Sequence, residues 1–169
     1  HTSIASVPGL LTIDRIRDTI RLLHGFLLHL GIPQPRIGVC SLNPHAGEHG
    51  LFGDEEGRII EPAVAAEHAA GIDVRGPWPA DTLVRSAIVD ARYDGLVAMY
   101  HEQGHIPFKL IGFDRAVNVT LGLPIVRTSP SHGTAFDIAW QGIARPEGMC
   151  GAMLTAARLV HSVDACKHR

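Results

Sequence analysis

Cysteine is scarce in this sequence, and its arrangement excludes two classes of small domain. The three cysteines, Cys40, Cys150 and Cys166, are odd in number, and no pair has CxxC spacing. We therefore expect neither a disulfide framework nor a thiolate zinc site. Free thiols of this kind favour a reducing cytoplasm as the compartment.

Long apolar runs, a basic excess and a secretion signal are also missing. Charged residues or glycines interrupt each apolar stretch well short of the roughly 20 residues that a membrane helix needs. The formal net charge is -2 and the basic residues are scattered, which argues against a nucleic-acid partner. The chain opens on HTSIAS without an initiator Met or a signal-peptide pattern, so we expect a piece of a longer protein.

The sequence does contain an alternation of strand-like and helix-like segments. With 169 residues, 46% of them hydrophobic, the chain is large enough for an ordinary domain with a core. The predicted helices are 12–30, 53–70 with an interruption at Pro62, 82–89 and 146–163, with a helical turn at 134–140. The predicted strands are 36–42, 72–76, 95–100, 116–120 and 125–128. This order favours an α/β domain with a largely parallel sheet, whose functional groups lie on loops after the strand ends.

Polar side chains of the kinds used in binding sites are concentrated between residues 98 and 137. The apolar runs in the same stretch, VNVTLGL and PIV, predict buried strands that would hold the polar positions rigidly. We therefore expect the functional site to be organised around this stretch.

Two histidines directly follow predicted strands. His45 comes after RIGVCSL and His101 after GLVAM. Because parallel strands deliver residues to a common edge, both imidazoles could reach one metal ion such as zinc, cobalt, nickel or manganese. His1 is a third candidate. The alternatives are hydrogen-bonded loop histidines and, for His1, a disordered terminus.

Charged and amide side chains form two further groups. Lys109, Asn118 and Arg127 suit a ligand that carries carboxylate or phosphate, and structural ion pairing is the alternative. Asp81 and Glu102 could accept a proton or orient a neighbouring side chain. For Asp81, capping of the helix that follows is an equally good interpretation.

The segment SHGTAFDIAWQGIA offers another candidate site. Its small residues and backbone N–H groups enter a predicted helical turn and would suit an anionic or nucleotide ligand. No GxGxxG motif follows a predicted strand, so an ordinary Rossmann dinucleotide site is not supported.

Five segments together resemble a known family. They are LNPHAGE, GPWPADT, YHEQGHIPFK, VNVTLGLPIVRTS and SHGTAFDIA. In order, they are similar to signature segments of the 4-hydroxythreonine-4-phosphate dehydrogenase family of vitamin B6 biosynthesis, which includes relatives acting on phosphorylated four-carbon sugar acids. HGTAFDIAWQGIA also resembles the nucleotide-binding loop of isopropylmalate and isocitrate dehydrogenases. The resemblance implies an α/β/α sandwich of the isocitrate/isopropylmalate dehydrogenase-like type.

The resemblance also implies metal ligands, substrate contacts, catalytic carboxylates and cofactor contacts. These are His1, His45 and His101 for a divalent metal; Lys109, Asn118 and Arg127 for the substrate; Asp81 and Glu102 for catalysis; and His132, Gly133, Thr134 and Asp137 for NAD or NADP. Zinc is the metal expected first, with magnesium, manganese and cobalt as alternatives.

The implied activity is NAD-dependent, divalent-metal-dependent oxidation, with decarboxylation, of a phosphorylated hydroxy acid most like 4-hydroxythreonine 4-phosphate. A 4-phospho-D-threonate or erythronate dehydrogenase of the same family, a metal-dependent hydrolase and an inactive truncated fragment are the alternatives.

The family's chains are longer than this one, so the resemblance implies the carboxyl-terminal portion of a two-domain dehydrogenase, with the amino-terminal half absent. Residues 1–115 would mainly bind metal and substrate, and residues 116–169 would mainly bind the cofactor. A homodimer is also implied, in which His101 of one subunit approaches His1 and His45 of the other.

Overall fold

The computed structural model describes residues 1–112 and 115–167, except for the side chains of residues 162–167. The chain divides into two compact units, His1–His105 and Ile106–Arg169. The functional division predicted at residue 115 stays a prediction.

The described chain alternates helices and short strands. The helices are α1 (Val7–Leu10), α2 (Ile13–His29), α3 (Glu61–Ala69), α4 (Ala80–Ile88), α5 (His101–Gly112) and α6 (Glu147–Lys167). The strands are β1 (Ile37–Cys40), β2 (Val74–Trp78), β3 (Gly95–Val97), β4 (Val117–Thr120) and β5 (Arg127–Pro130). Short 3-10 segments lie at Ile4–Ser6 and Phe136–Ile138, a left-handed turn lies within Pro44–Gly50, and a π-helical turn at Glu56–Ile60 leads into α3. None of the helices in the described ranges combines the length and apolar character that a membrane crossing requires.

The first unit is built on a parallel sheet with the strand order β2-β1-β3. Ile37 of β1 pairs with Val74 on one side and with Gly95 on the other. All four residues of β1 are buried, as expected for the central strand of a covered parallel sheet. The carboxyl ends of the three strands therefore lie at one edge of the sheet.

Helices cover both faces of this sheet. Ile37 and Val39 point into a core that includes residues of α2 and α3. Side chains alternate along a strand, so Gly38 faces the opposite side. There, a Cβ on Gly38 would lie only 2.7 Å from Cδ1 of Leu83 in α4, so this helix packs closely on the glycine. The α/β/α arrangement and the parallel sheet are thus confirmed.

The sequence located most elements of the first unit. Helix α2 begins after Thr12, whose Oγ1 accepts a hydrogen bond from the Arg15 N–H at 3.2 Å, as its N-cap position predicts. The predicted 72–76 strand is misplaced by two residues, because β2 begins at Val74 and extends through Pro77 to Trp78. The proline is tolerated since β2 lies at the edge of the described sheet.

The second unit consists of an antiparallel β4–β5 pair packed against α6. Thr128 Oγ1 donates to the carbonyl of Ala152 in α6 at 2.9 Å. A Cβ on Gly151 would lie 3.5 Å from Val117 Cγ2, so the helix lies close to that face of the pair. The expectation of buried strands is wrong for this pair: only one face is covered by α6, and no residue of either strand is buried.

Candidate active site

Three predicted site residues follow the carboxyl ends of the three parallel strands. His45 follows β1, Asp81 follows β2 and His101 follows β3. Because the strands are adjacent and parallel, these residues are delivered to the same edge of the sheet. Ligand sites of open parallel sheets lie at this edge.

Gln103 ties two of these strand ends together. Its Oε1 accepts from the Met99 N–H at 2.7 Å, and its Nε2 donates to the carbonyl of Ser41 at 2.8 Å. One amide side chain thus links the segment after β3 to the segment after β1. Gln103 lies within the YHEQG segment, but no specific role was predicted for it.

The imidazole of His101 has close neighbours on more than one side. Its Nδ1 donates to Glu102 Oε1 at 3.0 Å, and its ring stacks on that of His105 with centroids 4.0 Å apart and 13° between the planes. The ring of His1 lies 4.9 Å away. Since the carboxylate accepts, Nδ1 carries a proton, and in the neutral ring this leaves Nε2 with the lone pair that a metal ligand needs. Glu102 therefore orients His101 in this structure.

His45 lies in a segment with unusual backbone geometry. His45, Ala46, Gly47, Glu48 and His49 all have positive φ, between 41° and 76°. For residues other than glycine, left-handed backbone costs about 1–2 kcal/mol per residue. A run of this kind persists only where the surroundings over-determine it.

A buried carboxylate lies beneath this left-handed segment. Glu56 is only 3% exposed, and its Oε1 accepts from the backbone N–H groups of Leu42 and Asn43, both at 2.8 Å. Its Oε2 accepts from Asn43 Nδ2 at 3.0 Å. Gly47 has no space for a side chain, because a Cβ there would lie 2.7 Å from Glu56 Oε2. Glu56 was not among the predicted site residues, and its only sequence signal is the run of three acidic residues at 54–56, shortly after the NPHAGE segment.

The three histidines predicted to bind a metal do not form one group in the described chain. His1 and His101 line one depression of about 150 Å³, whereas His45 lines another of about 930 Å³. Among the described residues, no group of three His, Cys, Asp or Glu side chains could hold a metal ion. Each imidazole suits zinc by its chemistry. Three imidazoles would be a suitable ligand set for zinc, but within this single chain the imidazoles of His1, His45 and His101 do not come together. The three-ligand site therefore stays a prediction.

Asp81 lies in the first turn of α4. The N-cap position is Pro79, so Asp81 is not the N-cap that local sequence allowed. Its Oδ1 accepts from the next residue's N–H, that of Thr82, at 2.8 Å. Asp81 is exposed and remains available to a ligand at the edge of the sheet.

Two predicted substrate contacts share one face of the β4–β5 pair. Asn118 pairs with Ser129, and Thr120 pairs with Arg127, so all four side chains point away from the face that α6 covers. Arg127 Nη1 donates to Thr120 Oγ1 at 2.8 Å. Both Asn118 and Arg127 are exposed, as a ligand contact requires. Lys109, the third of the group, is an exposed residue of α5.

The predicted cofactor segment forms a depression of about 390 Å³ in the second unit. Its walls include His132, Ile138, Ile143 and Arg145. His132 Nδ1 donates to the carbonyl of Gly133 at 2.9 Å, which leaves Nε2 as an acceptor. Apolar walls with a few polar groups suit one end of a nucleotide.

The other three predicted cofactor residues, Gly133, Thr134 and Asp137, are exposed and do not line this depression. The helical turn predicted at 134–140 is a shorter 3-10 turn at Phe136–Ile138.

Comparisons with known proteins agree over nearly the whole chain. Residues 1–156 match the family model described as pyridoxal phosphate biosynthetic protein PdxA. The chain is 55% identical to a 4-hydroxythreonine-4-phosphate dehydrogenase of Geobacter metallireducens, over 94% of this chain and 47% of that protein. It is 51% identical to a D-threonate 4-phosphate dehydrogenase of Pectobacterium atrosepticum, over 94% of this chain and 48% of that protein.

A solved structure shows the same fold. The crystal structure of 4-hydroxythreonine-4-phosphate dehydrogenase from Klebsiella pneumoniae superposes with a TM-score of 0.83 at 51% identity, covering 94% of this chain and 48% of that one. The chain thus spans about half the length of the relatives it matches. Since the family model covers all but the last 13 residues, the chain belongs to the PdxA family of pyridoxal phosphate biosynthetic proteins.

Proposed function

We propose that the protein containing this chain is an NAD- and divalent-metal-dependent dehydrogenase that oxidises, with decarboxylation, a phosphorylated hydroxy acid. The observation that carries this proposal is 55% identity, over 94% of the chain, to a protein named 4-hydroxythreonine-4-phosphate dehydrogenase. The geometry supports it, because His45, Asp81 and His101 follow three adjacent parallel strands.

The chain's own residues have separable tasks in this proposal. When bound, the metal would lower the pKa of the substrate hydroxyl and NAD would accept the hydride. His1, His45 and His101 would hold the metal, and Glu102 fixes the ring of His101. Asp81 is then the carboxylate better placed to accept the hydroxyl proton, since Glu102 Oε1 already accepts from His101.

The anionic ends of the substrate would be bound by the second unit. Arg127 and Asn118 lie on the open face of the β4–β5 pair, where a guanidinium and an amide can both donate to carboxylate or phosphate oxygens. Lys109 would add a third donor. The relatives support a phosphorylated substrate, and they are named for two: 4-hydroxythreonine 4-phosphate and D-threonate 4-phosphate. We favour the first because the relative named for it is more identical to this chain.

The cofactor would contact the 390 Å³ depression through its adenosine end. Ile138 and Ile143 would face the flat base, and His132 Nε2 could accept a hydrogen bond from it. Zinc is the metal we favour, since all three proposed ligands are imidazoles.

Two further expectations belong to this proposal. A homodimer would let a second chain complete the three-histidine site, and the exposed apolar side chains of Met149, Met153 and Leu154 on α6 support a covered surface there. Free thiols at Cys40 and Cys150 support a reducing compartment such as the cytoplasm.

Absorbance of NADH tests the activity. The purified protein is mixed with NAD and either named substrate, with and without a chelator, and a phosphorylated sugar that carries no carboxylate serves as control. We expect NADH only with the hydroxy acids and only without the chelator. Metal-dependent hydrolysis of either substrate without NADH would instead establish the hydrolase, and no turnover with any substrate would favour an inactive fragment.

A further inference from the structure

Glu56 is a buried carboxylate for which neither the sequence motifs nor the proposed reaction accounts. Its side chain approaches no described cation within ion-pair distance, in contrast to Glu67, the other buried glutamate, which lies between Arg17 and Arg21. Three N–H groups of Leu42 and Asn43 point at it instead. The Glu56 side chain therefore satisfies hydrogen-bond donors of the segment after β1.

The bonds to Glu56 fix the entrance of the left-handed segment. Leu42 and Asn43 lie between the end of β1 and Pro44, and His45 is the first residue of the left-handed segment. Ser41 Oγ also donates to the carbonyl of Asn43 at 3.0 Å. The backbone N–H and the backbone carbonyl of Asn43 are therefore both hydrogen-bonded. The chain consequently enters the left-handed segment in one defined direction.

Glu56 also lies under the segment itself. The absence of a side chain at Gly47 lets its backbone approach Glu56 Oε2, and the Gly47 carbonyl in turn accepts from the Phe52 N–H at 3.1 Å. The ring of Phe52 lies 6.3 Å from that of His45. The Glu56 carboxyl group thus contacts the segment at its entrance and beneath Gly47, and Gly47 is in turn bonded to the residue whose ring neighbours that of His45.

We propose that Glu56 is a positioning residue for His45, holding the left-handed segment 45–49 in the conformation that sets where the imidazole points. The inference rests on the proposed function only for the use of His45 as a metal ligand. The conformational role stands on this chain alone, because each contact lies within the first unit.

The test compares Glu56→Ala with a matched control, Glu67→Ala. Both changes remove a buried carboxylate from the first unit, but Glu67 bonds α2 to α3 and contacts no residue of the segment 42–50 by hydrogen bond. Proton–nitrogen NMR spectra of the labelled chain report the side-chain resonances of His45 and the exchange rates of the Leu42 and Asn43 amides. A His45→Gln variant assigns the imidazole signals.

We expect Glu56→Ala to shift the His45 ring resonances. We also expect hydrogen exchange of the Leu42 and Asn43 amides to become about tenfold faster or more, because both lose the carboxylate that accepts their hydrogen bonds. Glu67→Ala should leave the His45 resonances in place. If Glu56→Ala does not fold, Glu56→Gln replaces it, and this side chain keeps one acceptor oxygen. Glu56→Gln must then shift the same His45 resonances and speed exchange of the same amides, each by a smaller amount. Unchanged His45 signals in the Glu56 variants, or equal shifts in Glu67→Ala, would overturn the proposal.

Metal titration extends the test to the site. Glu56→Ala should weaken zinc binding by about tenfold, as losses of supporting groups around metal ligands do, while Glu67→Ala should not. If the unchanged protein binds no zinc, the proposed function fails, whereas the NMR comparison still decides the role of Glu56.

Discussion

The imidazole rings of His1 and His101 lie 4.9 Å apart, although the two residues stand near opposite ends of the first unit's sequence. The start of the chain is thereby placed at the carboxyl edge of the parallel sheet. His101 is the better fixed of the two rings, through Glu102 and His105. These contacts make the metal proposal testable by single substitutions.

Replacement of Glu102 should weaken metal binding without removing a ligand. In Glu102→Gln the side chain no longer offers a charged acceptor to His101 Nδ1, so the ring loses its fixed tautomer. We expect zinc affinity, measured by calorimetry, to fall by about tenfold. His101→Ala should lower it further, and His29→Ala, which removes an exposed helical histidine, should have no effect. Equal affinities in all variants would rule out His101 as a ligand.

Replacement of Arg127 should weaken substrate binding. In Arg127→Lys the charge stays but the forked donor geometry is lost, so the KM for the phosphorylated hydroxy acid should rise by roughly tenfold. The measurement is initial-rate kinetics with NADH absorbance. Arg75→Lys, at an exposed arginine paired with Asp73, serves as the control. Unaltered kinetics for Arg127→Lys would show that Arg127 does not bind the substrate and has only its structural contact with Thr120.

Acid should remove a specific part of the chain's stability through Glu67. Burial opposes ionisation of this carboxyl, yet hydrogen bonds from Arg21 and Arg17 hold its pKa below the ordinary value. Because the pKa is lower in the folded state, the stabilisation is present above the unfolded pKa of about 4.3 and is lost as the pH falls through the folded pKa.

Urea unfolding of Glu67→Gln measures this contribution. Near neutral pH we expect a loss of about 2 kcal/mol, less than for a fully buried pair because both arginines are partly exposed. The difference from the unchanged chain should shrink as the pH falls below the unfolded pKa. A difference independent of pH would show that the ionised carboxylate contributes nothing.

The two described cysteines should differ in reactivity. Burial raises the pKa of the Cys40 thiol to about 11, so near pH 8 only about one molecule in a thousand carries the thiolate there. Cys150 is exposed. After brief treatment with iodoacetamide, peptide mass spectrometry should find the label on Cys150 and not on Cys40. Rapid labelling of Cys40 in the folded chain would contradict the burial of β1.

Much of the first unit was predictable because its signals are local. Thr12 and the apolar stripe Ile16, Ile20 and Leu27 define α2, and an unbroken apolar run defines β1. Helix α5 was not predicted, because Gly104 and Pro107 both disfavour a helix. Its first turn is nevertheless secured by Gln103, whose bonds reach Met99 and Ser41 across the sheet edge.

The strand ends on which the candidate residues lie could be predicted, but the grouping of their side chains could not. Strand order brings His45, Asp81 and His101 to one edge, and a parallel sheet made that expectation reasonable. The separation of His45 from His1 could not be foreseen, because it depends on the left-handed segment. Glu56 could not be singled out from its acidic neighbours, since burial of an acidic residue depends on tertiary hydrogen bonds.

The ratio of carbon dioxide to NADH formed from 4-hydroxythreonine 4-phosphate tests the proposed oxidative decarboxylation most directly. The two products are measured in the same reaction, before and after removal of divalent metal and again after zinc is restored. We predict equal amounts of both products, loss of both on chelation and recovery of both with zinc. Neither product in the zinc-loaded protein, or undiminished formation of both after chelation, would contradict the account.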